Sequence, residues 1–299
     1  MHINGKKTKI LPLVIGIAIV LILLFKIGIE DTFFLILQIN PFYFWLSFLL
    51  MLSIIILKAV RHAIIGSKIQ SEPFTLIKIS FVGQLLNLIN IGASELSKAY
   101  LFKKIFKVPF GMAAVPSVVE RFTDIIVITL FALVGLILHF NFPYVVFAVP
   151  PLLFIGIYLF IKFPIGPLKK ISHDFTEGCE LVGLKTSVGC IFFSFIIWLI
   201  EVTTVYLILL GLGCTPLIYM EVLGVVAVSF VVSTSIHLNI GGLESCLIFF
   251  FALIGISTET ALACSLIYRG IVVMQVAILG TYGLHTLFHT DEDKMVVEE

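Results

Sequence analysis

Charge is scarce in this chain. Of its 299 residues, 12% are Asp, Glu, Lys or Arg, where soluble domains carry about 25%. With 60% apolar residues and a mean hydropathy of +1.17, that scarcity excludes a soluble globular protein of this size, which has no interior large enough to hide so much apolar surface. Cysteine is scarce too. Cys179, Cys190, Cys214, Cys246 and Cys264 are scattered, odd in number and without a CxxC spacing, so they indicate neither a disulfide framework nor a zinc site. There is no HExxH, no GxSxG ("GASEL" does not match) and no metal-ligand cluster. No metal, cofactor or nucleic-acid partner is therefore expected, and the chain does not read as an enzyme. The ten-residue alternation of a transmembrane β-barrel is missing as well.

What is present is a series of apolar runs, several beyond the roughly 18 residues that mark a membrane helix. The fold class is all-α, a polytopic integral membrane protein. Full spans are expected at 10–29, 42–60, 116–139, 143–163, 188–211 and 258–285. The first follows Lys6, Lys7 and Lys9 like a signal peptide, but its apolar run is too long and no small-x-small cleavage site follows, so it reads as a retained span. Two further stretches, 75–91 and 221–239, each lead into a shorter segment, 94–107 and 244–256. They are expected as two re-entrant helical hairpins; counting them as full spans gives about eight. The segment "SELSKAYLFKKIFK" looks like a helix at the membrane surface, with Lys98, Lys103, Lys104 and Lys107 toward the headgroups. The sizeable polar connection, 164–187, is expected to be cytoplasmic and to form a surface helix, and the tail 288–299 to be disordered.

Lysine and arginine cluster before span one, after span two (Lys58, Arg61, Lys68, Lys78), after 94 and around 164–187. By the positive-inside tendency these lie on the cytoplasmic side, as do both termini, in a multi-pass protein of the cell membrane. Residues 215 and 257 then belong to the outer side.

The apolar stretches end in a repeat. "NIGASE" occupies 90–95 and "NIGGLE" 239–244. Arg121 follows Glu95 by 26 residues and Arg269 follows Glu244 by 25, each arginine inside a span. Three spans separate the motifs, and an odd number inverts the second copy. Inverted repeats, here about 70–140 and about 218–287 of a single membrane domain, put a binding site at the repeat interface. Gly92, Gly241 and Gly242 allow the helix to break. Asn90 and Asn239 can bond the freed backbone, and Glu95 and Glu244 can cap the next half-helix or pair with arginine. If both motifs face one cavity, the two carboxylates are expected to act as a coupled unit with the two arginines.

Glu120, Arg121, Asp124, Glu201, Glu244 and Arg269 all lie in apolar stretches. At roughly 2.5–3.5 kcal/mol each on insertion scales, they must be paired, hydrated or ligand-bound. Asp124 is one turn after Arg121, which predicts a local ion pair. Glu201 has no local partner and is expected to bond across helices. His237 reads as a satisfied polar group.

Gly92-Ala93-Ser94-Glu95-Leu96-Ser97-Lys98-Ala99, then Glu120-Arg121-Phe122-Thr123-Asp124, then Gly241-Gly242-Leu243-Glu244 and Arg269 resemble, in order and spacing, the transmembrane region of lysylphosphatidylglycerol synthases, also called flippase-like or UPF0104 proteins. Lys98 stands where that family usually has arginine. The resemblance implies lipid translocation. It implies no synthase activity, because that belongs to a soluble domain this chain lacks. The expected function is transport of an anionic phospholipid or polyprenyl-phosphate-linked lipid between leaflets. Its substrate site would be formed by Asn90, Gly92, Glu95, Lys98, Arg121, Asp124, Asn239, Gly241, Gly242, Glu244 and Arg269, with a phosphate headgroup as ligand. The alternatives are a membrane-embedded lipid-modifying enzyme and an accessory subunit for a glycosyltransferase or lipid synthase.

Overall fold

The computed structural model describes residues 7–88, 91–139, 168–236 and 240–296. These form ten helices and no strand: α1 (Lys7–Ile27), α2 (Ile29–Leu37), α3 (Pro41–Gly66), α4 (Pro73–Asn87), α5 (Ile91–Phe106), α6 (Phe110–His139), α7 (Leu168–Gly211), α8 (Tyr219–Ile236), α9 (Gly242–Leu253) and α10 (Thr258–Val296). The protein is an all-helical, polytopic membrane protein. Three described stretches are long and apolar enough to cross a bilayer: Pro41–Gly66, Lys170–Gly211 and Thr258–Leu287. The expected span 143–163 lies outside the described residues.

The helix boundaries follow local chemistry. Asn40 accepts the Phe42 N–H at 3.0 Å and Pro41 occupies the first helical position, so α3 starts sharply. The first apolar run breaks at Gly28, between α1 and α2. The polar connection is helical from Leu168 and bends at Gly183, where it turns into the span. The last helix continues to Val296. One expectation is corrected here. Span two does not stop at 60: α3 runs to Gly66 because Ala63, Ile65 and Gly66 continue its buried face beyond the charges.

Both predicted hairpins form. α4 packs along α5, and α8 along α9. At 15, 16 and 12 residues, α4, α5 and α9 reach about 18–24 Å, short of the roughly 30 Å hydrocarbon layer. The two hairpins enter from opposite ends of the bundle. At one end Gly66 meets Leu76 and Phe102, Gly111 meets Ile171 and Asp174, and Gly283 meets Lys78. At the other, the Asn40 N–H bonds the Gly211 carbonyl at 2.9 Å, and Tyr219 stacks edge-on to Tyr206. Hairpin α4/α5 opens at the first end and α8/α9 at the second.

Each half then reaches into the other. The long helix of the first half, α6, lies along α8, and that of the second, α10, lies along α4. Glycines permit both crossings. A Cβ on Gly135 would sit 2.1 Å from the Gly224 Cα, and one on Gly280 would sit 2.5 Å from the Leu85 Cβ. Ile197, Val205, Leu209, Val226, Leu247 and Leu262 form part of the core between the halves.

α5 does not lie flat with its lysines outward. Folded back on α4, it buries Ala99, Leu101 and Phe102 and turns Lys98 inward, leaving Lys103 and Lys104 exposed. The alternation of apolar and basic residues fits a surface helix, but packing against α4 decides which lysine turns in. Gly83 makes the room, since its hydrogen faces the Lys98 stem where a Cβ would come within 2.4 Å of Cγ.

Candidate functional site

Both motif glutamates are held by the arginine of their own half. Arg121 donates through Nε and Nη2 to Glu95 Oε1 at 2.9 and 2.5 Å. Arg269 donates through Nε to Glu244 Oε1 at 2.7 Å. The helix breaks create this. Gly241 takes a positive φ of 81°, which a side chain would resist. It lets α9 restart so that Glu244 Oε2 accepts the Gly241 N–H at 2.8 Å while Oε1 faces Arg269. Glu244 thus caps the half-helix and pairs with arginine at once. Gly242 opens α9 and is buried; Gly92 sits in the first turn of α5 and is exposed. Asn90, Asn239 and His237 lie outside the described residues.

The first half surrounds its ion pair with more charge. Lys98 Nζ lies 2.9 Å from Glu95 and 2.9 Å from Glu120. Asp124 does not pair with Arg121 as its spacing predicts. It turns to Arg61 of α3, which holds it with Nη1 at 2.5 Å and Nη2 at 3.0 Å. A two-pronged guanidinium–carboxylate contact outcompetes a single-turn pair because both oxygens are used. Arg61 also donates to Ser194 at 2.5 Å, and Trp198 donates to Asp124 at 3.3 Å. His62 Nδ1 lies 3.3 Å from Glu120. Burial of Arg61, Lys98, Glu120 and Asp124 is tolerable because each is paired more than once.

Glu201 of α7 bonds across helices, as expected. Lys58 of α3 approaches it at 3.3 Å and the Tyr268 hydroxyl donates to its other oxygen. The sequence reading used Lys58 and Arg61 only as orienting charges after span two and did not single out His62. Their spacing held the signal: 58, 61, 62 and 65 form one helical stripe, ending in the fully buried Ile65.

These groups line one cavity of about 170 Å³ between the halves, bounded by Glu95, Arg121, Glu201, Tyr268 and Arg269 among others. Glu95, Arg121 and Arg269 line it, and Glu244 reaches it through its bond to Arg269. The cations fall into two sets. Side chains of Arg61 and Lys98 are 3% and 7% exposed; those of Arg121, Lys58 and Arg269 are 39%, 34% and 14% exposed. The described charges balance at five cations and five carboxylates when Glu244 is counted. Among the described residues no group of three or more His, Cys, Asp or Glu has the arrangement of a metal site.

The family model of the lysylphosphatidylglycerol synthase TM region, which is the UPF0104 family, matches residues 10–280. The chain belongs to this family. As a member it is a membrane protein that handles lipids. No curated protein and no solved structure matches. The paired glutamates and arginines of this family member fall within the matched region, as do Lys58, Arg61 and Glu201.

Proposed function

We propose that this protein is a flippase-like transporter that moves a phosphate-bearing lipid between the leaflets of the cell membrane, either an anionic phospholipid or a polyprenyl-phosphate-linked lipid. The observation that carries the reading is the joint face that Arg121 and Arg269 present to one small cavity at the meeting of two oppositely inserted hairpins. Drug-sized ligand sites occupy about 300–1,000 Å³. A cavity of about 170 Å³ suits a phosphate, and the acyl or prenyl chains stay outside in the hydrocarbon. Arginine suits the task, since its fork matches phosphate oxygens and keeps its charge when desolvated. In the empty protein Glu95 and Glu244 hold the arginines in place and remove the cost of bare buried charge.

In this reading the end of the bundle that carries Lys68, Lys103, Lys104, Lys107, Lys170 and Lys185 faces the cytoplasm, and both termini lie on that side. The opposite end carries Glu30, Asp31, Glu221 and Glu259 with Lys26. Reconstitution in liposomes with fluorescent lipids of different headgroups tests the function. Leaflet exchange selective for phosphate-bearing lipids, and lost in Arg269→Ala while the variant remains in the membrane, is the expected result. Exchange by Arg269→Ala at the wild-type rate refutes the site.

A further inference from the structure

Of the five cations that line the cavity, Arg61 and Lys98 each pair with two acids, and the other three pair with a single acid: Arg121 with Glu95, Arg269 with Glu244, Lys58 with Glu201. The three acids differ in what they keep if the cation swings to a ligand. Glu95 keeps Lys98 at 2.9 Å. Glu244 keeps the Gly241 N–H at the positive end of α9. Glu201 keeps only the neutral hydroxyl of Tyr268, because among the described residues Lys58 is the one cation within ion-pair distance of it. Glu201 is 2% exposed, so bulk solvent does not make up for the lost cation. Sharing the cavity with it are Lys58 on α3, Asp124 and Arg121 on α6, and Tyr268 and Arg269 on α10, with Phe230 and Ser233 from α8. Asp124 is already engaged by Arg61.

We infer that Lys58 is the third arm of the phosphate site and that Glu201 takes up a proton when Lys58 leaves it, so that anion and proton cross together. The inference rests on the transport reading above. In the empty site Lys58 is an ammonium and Glu201 a carboxylate. When a phosphodiester with one negative charge enters, the Lys58 ammonium moves to a phosphate oxygen. A proton from water binds Glu201 Oε2, the oxygen that Lys58 vacated, while Tyr268 still donates to Oε1. The site gains one negative and one positive charge, so its balance of five and five is kept. Without the proton, entry of the anion would leave Glu201 charged and without its cation in a buried site, the arrangement that buried charges avoid. Release reverses each step, and Glu201 returns its proton to water as Lys58 swings back.

The test uses the full chain in phosphatidylcholine vesicles with a one-unit pH difference across the membrane. The probes are tail-labelled phosphatidylglycerol and a labelled polyprenyl-phosphate sugar, both singly charged phosphodiesters. With one proton per anion, the probe gathers about tenfold in the leaflet facing the alkaline side, and a pH dye in the lumen reports matching proton movement. Clamping the voltage with valinomycin and potassium leaves the distribution unchanged. Wild-type exchange that ignores the pH difference overturns the coupling and leaves the transport reading standing; absence of exchange for both probes overturns both. Glu201→Gln keeps the shape and the Tyr268 bond but offers no site for the proton, and the probe is expected to spread evenly. A tenfold distribution retained by Glu201→Gln removes Glu201 from the mechanism.

Discussion

Three residues after Glu95 stands Lys98; three after Glu244 stands Leu247. Beside Arg121 are Glu120 and Asp124, and beside Arg269, at the matching positions, are Tyr268 and Val272. The two halves share a broken helix, a glutamate and an arginine 25 or 26 residues on, yet one is dense in charge and the other is nearly bare. The dense half is closed by α3, which inserts Arg61 and His62 between Glu120 and Asp124. The second half is closed through Glu244, Glu201 and Tyr268. The difference teaches that a repeat preserves the skeleton of a site while its surroundings divide the work. A multiply bonded cluster holds geometry, because moving any member strands another.

That contrast can be broken most forcefully at Arg61. Its loss leaves Asp124 and Glu120 buried without their guanidinium, and uncompensated buried charge costs about 3–5 kcal/mol. Arg61→Ala is expected to yield little folded protein, seen as loss of the monodisperse peak in detergent-solubilised membranes. The motif arginines sharpen the comparison. Arg121→Ala leaves Glu95 on Lys98, whereas Arg269→Ala leaves Glu244, among the described residues, on the Gly241 N–H. Both are expected to stop transport, with the larger loss of stability in Arg269→Ala, by about 1–2 kcal/mol, the cost of one further unsatisfied charged group, read as the lower thermal midpoint of the two.

Between the halves, Gly135→Ala is expected to cost about 1–3 kcal/mol by overpacking, because its Cβ would meet the Gly224 backbone at 2.1 Å. Gly283→Ala, whose nearest neighbour is the Lys78 carbonyl at 3.0 Å, is expected to cost less in the same melting assay. The smallest effect concerns the two glutamates. Each has its own arginine, so the stability losses of Glu95→Gln and Glu244→Gln are expected to add within about 0.5 kcal/mol. Strong non-additivity in that double-mutant cycle would show one shared unit, as the sequence alone led us to expect.

How the site was read from the sequence varies with distance along the chain. The pairs Glu95–Arg121 and Glu244–Arg269 were legible because they repeat: the same letters and nearly the same spacing, twice, in helices that must satisfy every charge. The Asp124–Arg121 pair followed a sound local rule and lost to Arg61. Lys98 followed a sound amphipathic pattern and was turned inward by the space at Gly83.

Composition and run length by themselves determined that this is a membrane protein of helices, because so few charges and so much apolar surface admit no other solvent. The repeat determined that two broken hairpins face one another and which glutamates and arginines they carry. Only the tertiary structure decided which buried charge meets which across the bundle: Arg61 with Asp124, Lys58 with Glu201, Tyr268 with Glu201. Those partners stand 63, 143 and 67 residues apart, on helices whose relative rotation is set by glycine crossings and core packing. No periodicity along the chain records that rotation, and a buried charge takes the partner that packing brings within reach.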